Sequence, residues 1–382
     1  MKKVLYFAAA ALALAACSKN EVLDVNKGEA ISFRTVMNGS TKATNPHDVT
    51  TENLSEFIVT AQTATPTNYF QNVEFTKSGT TFVSTNKYYW PGDNSELTFY
   101  AYAPKNATGV AYNATTPANV NVWTVTQQTT PANQPDLVVA KNTGKKSTNA
   151  TGVALNFRHT MAKLSVKVKN SNTGMKMEVK NWKVAYIYDK GIFTLGETDT
   201  NDNNTGSGTT LEAGDWTYTD AAQAVGNEVN NGDDLATAKG IAAEAPAASV
   251  DGFGDFIVIP QAMKSGVPAY ATAAASAAWT TPYIAVLMTI KNNTTAGEVI
   301  AEEQWCCWPI STTWVPGKHY TYTIDLADGG YKEKNVVNAD PETTDLDPVL
   351  DNAEIKFVSV TVDDWTPHSD TGTGDDDPAI NL

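Results

Sequence analysis

Apolar and polar positions alternate with a period of two along most of this chain, the spacing of strands with one face in a core. Residues 30–37 set Ile31, Phe33 and Met37 on one face and Ser32 and Arg34 on the other. Further segments of this kind, each bounded by turn residues, cover 57–62, 75–83, 97–103, 122–126 and 136–140. The clearest is 162–169, which directs Leu164, Val166 and Val168 to a core and Lys163, Ser165, Lys167 and Lys169 to water. Later strands are predicted over 179–188, 255–259, 283–290, 319–326 and 355–362.

Between these segments lie turn-rich loops, notably 38–53 and 199–208. Ala-rich stretches at 221–224, 236–247 and 269–278 lack apolar periodicity and read as loops. Many short strands and no long amphipathic helix predict an all-β fold of antiparallel β-sandwiches. The length, 382 residues, suits two domains. A boundary near 158 gives an N-terminal sandwich at 29–158 and a C-terminal one at 159–366, followed by an acidic, flexible tail at 367–382.

Before the first strand the pattern is different. Lys2 and Lys3 precede an unbroken apolar run from Val4 to Ala16, too short to cross a bilayer, and it ends at Leu14, Ala15, Ala16 and Cys17. This predicts a secretory signal peptide at 1–16, of the kind that is cut before an acylated cysteine, with a polar linker at 17–28. Cys17 is then the lipidation site, and Ser18 after it favours the outer membrane over retention at the inner one. Cutting there removes Lys2 and Lys3 and takes the net charge from −15 to −17. So acidic a chain is not held to anionic lipid by its charge, and acyl chains on Cys17 must anchor it. The same charge repels phosphate, so nucleic acid is not an expected partner.

Little in the chain points to catalysis. The four histidines, His47, His159, His319 and His368, show no metal-ligand spacing and read as solvated or capping residues. No nucleophile-elbow, zinc-protease or phosphate-loop motif is present. The run Asp375 to Asp377 lacks calcium-loop spacing. Neither an enzyme nor a cofactor is expected. Cys306 and Cys307 are adjacent on a predicted strand, so one is expected in the core and one at the surface, without a disulfide. The nine tryptophans, Trp305, Trp308 and Trp314 among them, read as core residues first and as a sugar-stacking platform second.

Several motifs in order along the chain resemble the fimbrillin-like family, the subunits of type V pili. They are the Cys17 lipobox, the strand at 31–35 with the loop around Lys42, the Tyr-Trp-Pro-Gly of 89–92, and the strand at 97–104. They continue with 136–140, the junction at 157–164, the run from Trp314 to Leu326, and 360–365. The resemblance implies two tandem transthyretin-like β-sandwiches exported as a lipoprotein. It also implies assembly with other pilus subunits by strand exchange: a protease cuts after a basic residue, the first strand leaves, and a strand of another subunit fills the groove. Ile31, Phe33 and Met37 would belong to the strand removed, and Arg34 and Lys42 are the processing candidates. Arg34 is the only arginine before residue 158, whereas Lys42 lies in an accessible loop. After Trp365 only Ala379, Ile380 and Leu382 are apolar, so the donor is either the strand at 355–365 or absent from this subunit. The alternative is an outer-membrane surface lipoprotein that binds a host or glycan ligand without polymerising.

Overall fold

The computed structural model describes residues 28–36, 53–64, 67–113, 121–130, 133–185, 187–195, 216–218, 228–230, 239–241, 255–261, 283–310, 312–332, 349–350 and 357–364. Cys17, Met37, Lys42, His47 and His368 lie outside these residues, as do the loop at 199–208 and the tail at 367–382.

The chain is all-β. Its first half carries β1 (Phe33–Val36), β2 (Glu56–Thr63), β3 (Asn68–Ser78), β4 (Thr81–Val83), β5 (Leu97–Ala103), β6 (Val110–Asn113), β7 (Asn121–Thr126), β8 (Val138–Gly144), β9 (Val153–Asn156) and β10 (Arg158–His159). All but β6 and β7 join one sheet in the order β10-β8-β5-β2-β3-β4-β1-β9. This sheet curls on itself. The β8–β9 connection brings its two ends together, and Asn142 Nδ2 on β8 donates to Ala154 O on β9 at 2.7 Å. The period-two alternation explains the interior: Phe57, Val59 and Ala61 on β2 and Leu97, Phe99, Ala101 and Ala103 on β5 all point into one cluster with Phe33, Phe75 and Phe82.

The second half carries β11 (Ala162–Lys169), β12 (Met175–Ala185), β13 (Lys190–Leu195), β14 (Trp216–Tyr218), β15 (Glu228–Asn230), β16 (Lys239–Ile241), β17 (Phe256–Val258), β18 (Tyr283–Asn292), β19 (Val299–Pro309), β20 (Lys318–Asp325), β21 (Tyr331–Lys332) and β22 (Phe357–Asp364). A single 3₁₀ turn, Leu326–Asp328, follows β20. Residues 239–241, inside one of the Ala-rich stretches, pair with β12 as a strand and not as a loop. A four-stranded sheet, β17-β11-β20-β22, faces a larger one, β15-β12-β18-β19-β21 with β16 also on β12. Between them lie Leu164, Val166 and Val168, Trp182, Phe256, Val286, Trp308, Trp314 and Tyr322. The two buried tyrosine hydroxyls of this core are matched: Trp314 Nε1 donates to Tyr322 Oη at 2.8 Å and Val315 N to Tyr320 Oη at 2.9 Å.

A fourth sheet, β14-β13-β7-β6, draws two strands from each side of residue 158. β7 and β13 pair over six residues, from Lys190 opposite Thr126 to Leu195 opposite Asn121. Its inner face, with Trp123, Val125, Phe193 and Trp216, covers Tyr100 and Val139 of the first sheet and Ile257 and Ile259 at β17. The two halves therefore share a hydrophobic cluster and a hydrogen-bonded ladder.

Candidate functional site

β1 is short, four residues, yet it sits inside the first sheet and not at its rim. Phe33 pairs antiparallel with Phe82 of β4. On the other side, Phe33 to Val36 run parallel to Val153 to Asn156 of β9. The chain just before β1 is fastened as well: Ile31 N donates to Tyr88 O at 2.7 Å and Val153 N to Ser32 O at 3.0 Å. Gly152 makes the close approach feasible. It adopts φ +94°, and a Cβ there would stand 3.3 Å from Ser32 O.

Side chains alternate across β1 as the sequence predicts. Ile31 and Phe33 are buried while Arg34 is exposed on the opposite face. The Phe33 ring is the hub of the aromatic core, edge-on to Phe75 at 4.7 Å, Phe99 at 5.1 Å and Phe57 at 6.1 Å. Each of these buried side chains is worth roughly 1.5–3 kcal/mol against exposure. Loss of β1 would uncover a slot floored by Phe57, Phe75, Phe82 and Phe99 and walled by the free edges of β4 and β9. Such a slot has two unpaired edges and an apolar floor, which is what an added strand needs.

At the other end of the chain, β22 lies at the rim of its sheet and pairs antiparallel with β20 from Lys318 opposite Asp364 onward. Val360 is buried in the C-terminal core. β22 is thus a member of its own sandwich here, and among the described residues it pairs with β20 alone.

The outer face of β11 differs from the sequence reading. Lys163 does not reach open water; it is buried at 3 % exposure, with Nζ 3.0 Å from Asp255 Oδ2. Ser165 Oγ donates to Asp255 Oδ1 at 2.5 Å and lies 2.6 Å from His319 Nε2. The reason is tertiary: β17 and β20 flank β11, opposing Lys163 to Ile257 and to His319. Burial holds His319 down at about 4, with Lys163 and Lys167 adding to the effect and Asp255 opposing it. The order of contacts is carboxylate, serine, histidine. Ser165 directs its proton to the carboxylate, and the serine stands between carboxylate and histidine, an order unlike that of a hydrolytic triad, where the histidine stands between the other two. His159 is also not solvated, since its Nδ1 lies 2.7 Å from the buried Asp136 Oδ2.

Both Cys306 and Cys307 are fully buried, which corrects the expectation that one reaches the surface. They do point to opposite faces. Cys306 enters the main C-terminal core, while Cys307 joins Ala185, Tyr283 and Ala285 in a cluster on the outer face of the same sheet, against which Trp305 and Tyr331 pack. Burial pushes the Cys306 thiol up to about 12, with the nearby Asp328 adding to it. Trp308 and Trp314 are core residues, and the half-buried Trp305 lies under Lys183, whose Nζ is 4.5 Å from the ring centre.

Comparison with solved structures places this architecture beside a fimbrial protein from Bacteroides vulgatus ATCC 8482. The TM-score is 0.56 at 14% identity, over 88% of this chain and 99% of that one. A protein from Bacteroides uniformis ATCC 8492, provisionally described as a cell adhesion protein, matches at 19% identity and a TM-score of 0.44, over 88% of this chain and 98% of that one. A comparison with curated proteins gives no match. The family model described as fimbrillin-like matches residues 41–365, and the chain belongs to the fimbrillin-like family.

Proposed function

We propose that this chain is a subunit of a type V-like pilus, exported as a lipoprotein acylated at Cys17 and assembled at the outer membrane by strand exchange. The observation that carries the reading is the seat of β1. A four-residue strand between β4 and β9 places Phe33 at the centre of the aromatic core, so its departure leaves a groove that another strand must fill. The role is structural and not enzymatic, with adhesion as its outcome.

Processing after Arg34 or Lys42 would release β1. The Arg34 side chain is exposed, but its backbone runs in register with Ala154 on β9. A protease needs the backbone extended in its own cleft, so cutting at Arg34 requires β1 to unpair first. Lys42 lies outside the described residues, in a segment whose sequence reads as a loop, and it is the site we favour. The donor on this reading is β22, which among the described residues pairs with β20 alone.

Mass spectrometry of the mature N-terminus in outer-membrane and sheared extracellular fractions tests this. Polymeric material starting at Ala43 or Thr35 is the expected result. An acylated Cys17 in membranes with no shortened form in the sheared fraction would overturn strand exchange and leave an anchored, ligand-binding lipoprotein.

A further inference from the structure

β17 is the rim of the four-stranded sheet, yet its outer edge is buried under the other half of the molecule. A buried strand edge must find hydrogen-bond partners. Here they are side-chain amides. Gln127 Nε2 donates to Ile257 O at 3.0 Å, and Ile259 N donates to Gln127 Oε1 at 2.9 Å. Those are the carbonyl and the N–H, two residues apart, that an added strand would engage. The next carbonyl along the edge, Ile259 O, accepts from Gln261 Nε2 at 3.1 Å.

Gln127 is held for the task. It follows β7 directly, and its backbone N donates to Asp189 O at 2.7 Å, which extends the β7–β13 ladder by one rung. The second hydrogen of its Nε2 goes to Gln134 Oε1 at 2.9 Å, which also accepts from Gln128 N at 2.7 Å. Gln134 and Gln261 are fully buried and Gln127 nearly so. Every donor and acceptor of the Gln127 carboxamide is used in a dry junction, where a missing partner is costly.

We propose that Gln127 stands in for a strand, closing the open edge of β17 and making the two halves one cooperative unit. Ile257 and Ile259 pack on Trp123, Val125 and Phe193, so the amide ties together what the shared sheet buries. Without it the β7–β13 ladder, apolar contact and the bonds from Thr160 to Leu137 O would still join the halves, but Ile257 O and Ile259 N would be stranded.

Hydrogen exchange on the full-length chain tests this, read on peptides covering 255–261 and 121–127. In Gln127→Leu the 255–261 peptide should exchange about tenfold faster or more, since a buried backbone pair loses its partners. Gln127→Glu separates hydrogen bonding from space filling. At pH 7 its carboxylate faces Ile257 O and Gln134 Oε1 without a proton, and exchange should be fast. At pH 4.5 the protonated acid donates again, and protection should return relative to wild type at the same pH. The same ratio of Gln127→Glu exchange to wild-type exchange at both pH values, or wild-type protection in Gln127→Leu, would overturn the proposal. Should Gln127→Leu not fold, the wild-type chain decides: both peptides should open at the same denaturant concentration, and earlier opening of 255–261 would overturn it.

Discussion

Phe33 and Phe75 meet edge to face, 4.7 Å apart at 84°, with neither ring exposed to solvent. The contact joins β1, the strand that processing would remove on the proposed reading, to β3, so the first sheet completes its core with a ring from the start of the described chain.

Phe33→Ala should cost about 3–5 kcal/mol in the unprocessed chain, from lost transfer energy plus the cavity among three phenylalanines. Arg34→Ala, one position along on the exposed face, should stay within about 0.5 kcal/mol. Denaturant unfolding of the two variants checks this, and similar losses would mean that β1 does not seat as described.

A chain beginning at Ala43 should bind an apolar dye and self-associate, because the slot over Phe57, Phe75, Phe82 and Phe99 is left open. A synthetic peptide of residues 28–37 should suppress both signals, and the same peptide with Phe33→Asp should not, since a carboxylate buried among phenylalanines has no partner. Fluorescence titration and size-exclusion chromatography give the answer.

Stability should fall with acid through His319. Its folded value of about 4 lies below the 6.5 of the free side chain, so the unfolded chain binds the extra proton first. The contribution is complete above pH 6.5, erodes as pH drops to 4 and is flat below that, amounting to about 3 kcal/mol. Glu178, held low by hydrogen bonds from Lys291 and Lys176, loses its own contribution in more acid solution. His319→Gln should be less stable at pH 7 but flatter between pH 6.5 and 4, a slope that unfolding curves at several pH values measure.

In the folded chain Cys306 and Cys307 should resist a thiol reagent, being fully buried, with the Cys306 thiol pushed up to about 12. Both should react in denaturant. Labelling of Cys307 under native conditions would show that the outer face of β18 and β19 opens, and labelling of Cys306 that the C-terminal core itself does.

The period-two alternation by itself determined the all-β class, the inward faces of β2, β5 and β11 and the opposed placing of Phe33 and Arg34, because a strand's pleat converts spacing directly into sidedness. The family was also legible in the sequence, from motifs distributed along the chain. What the alternation could not specify is which strand lies beside which. The parallel pairing of β1 with β9, the sheet shared by β7 and β13 and the burial of Lys163 and Cys307 depend on partners remote in the chain. A side chain facing away from one core reads as solvent-facing until another element covers it. Lys163 and Gln127 are polar and look like surface residues in sequence, and only tertiary structure brought the carboxylate and the strand edge that satisfy them. The physical reason is that period encodes the face of a strand, whereas burial and hydrogen-bond satisfaction belong to the whole assembly of sheets.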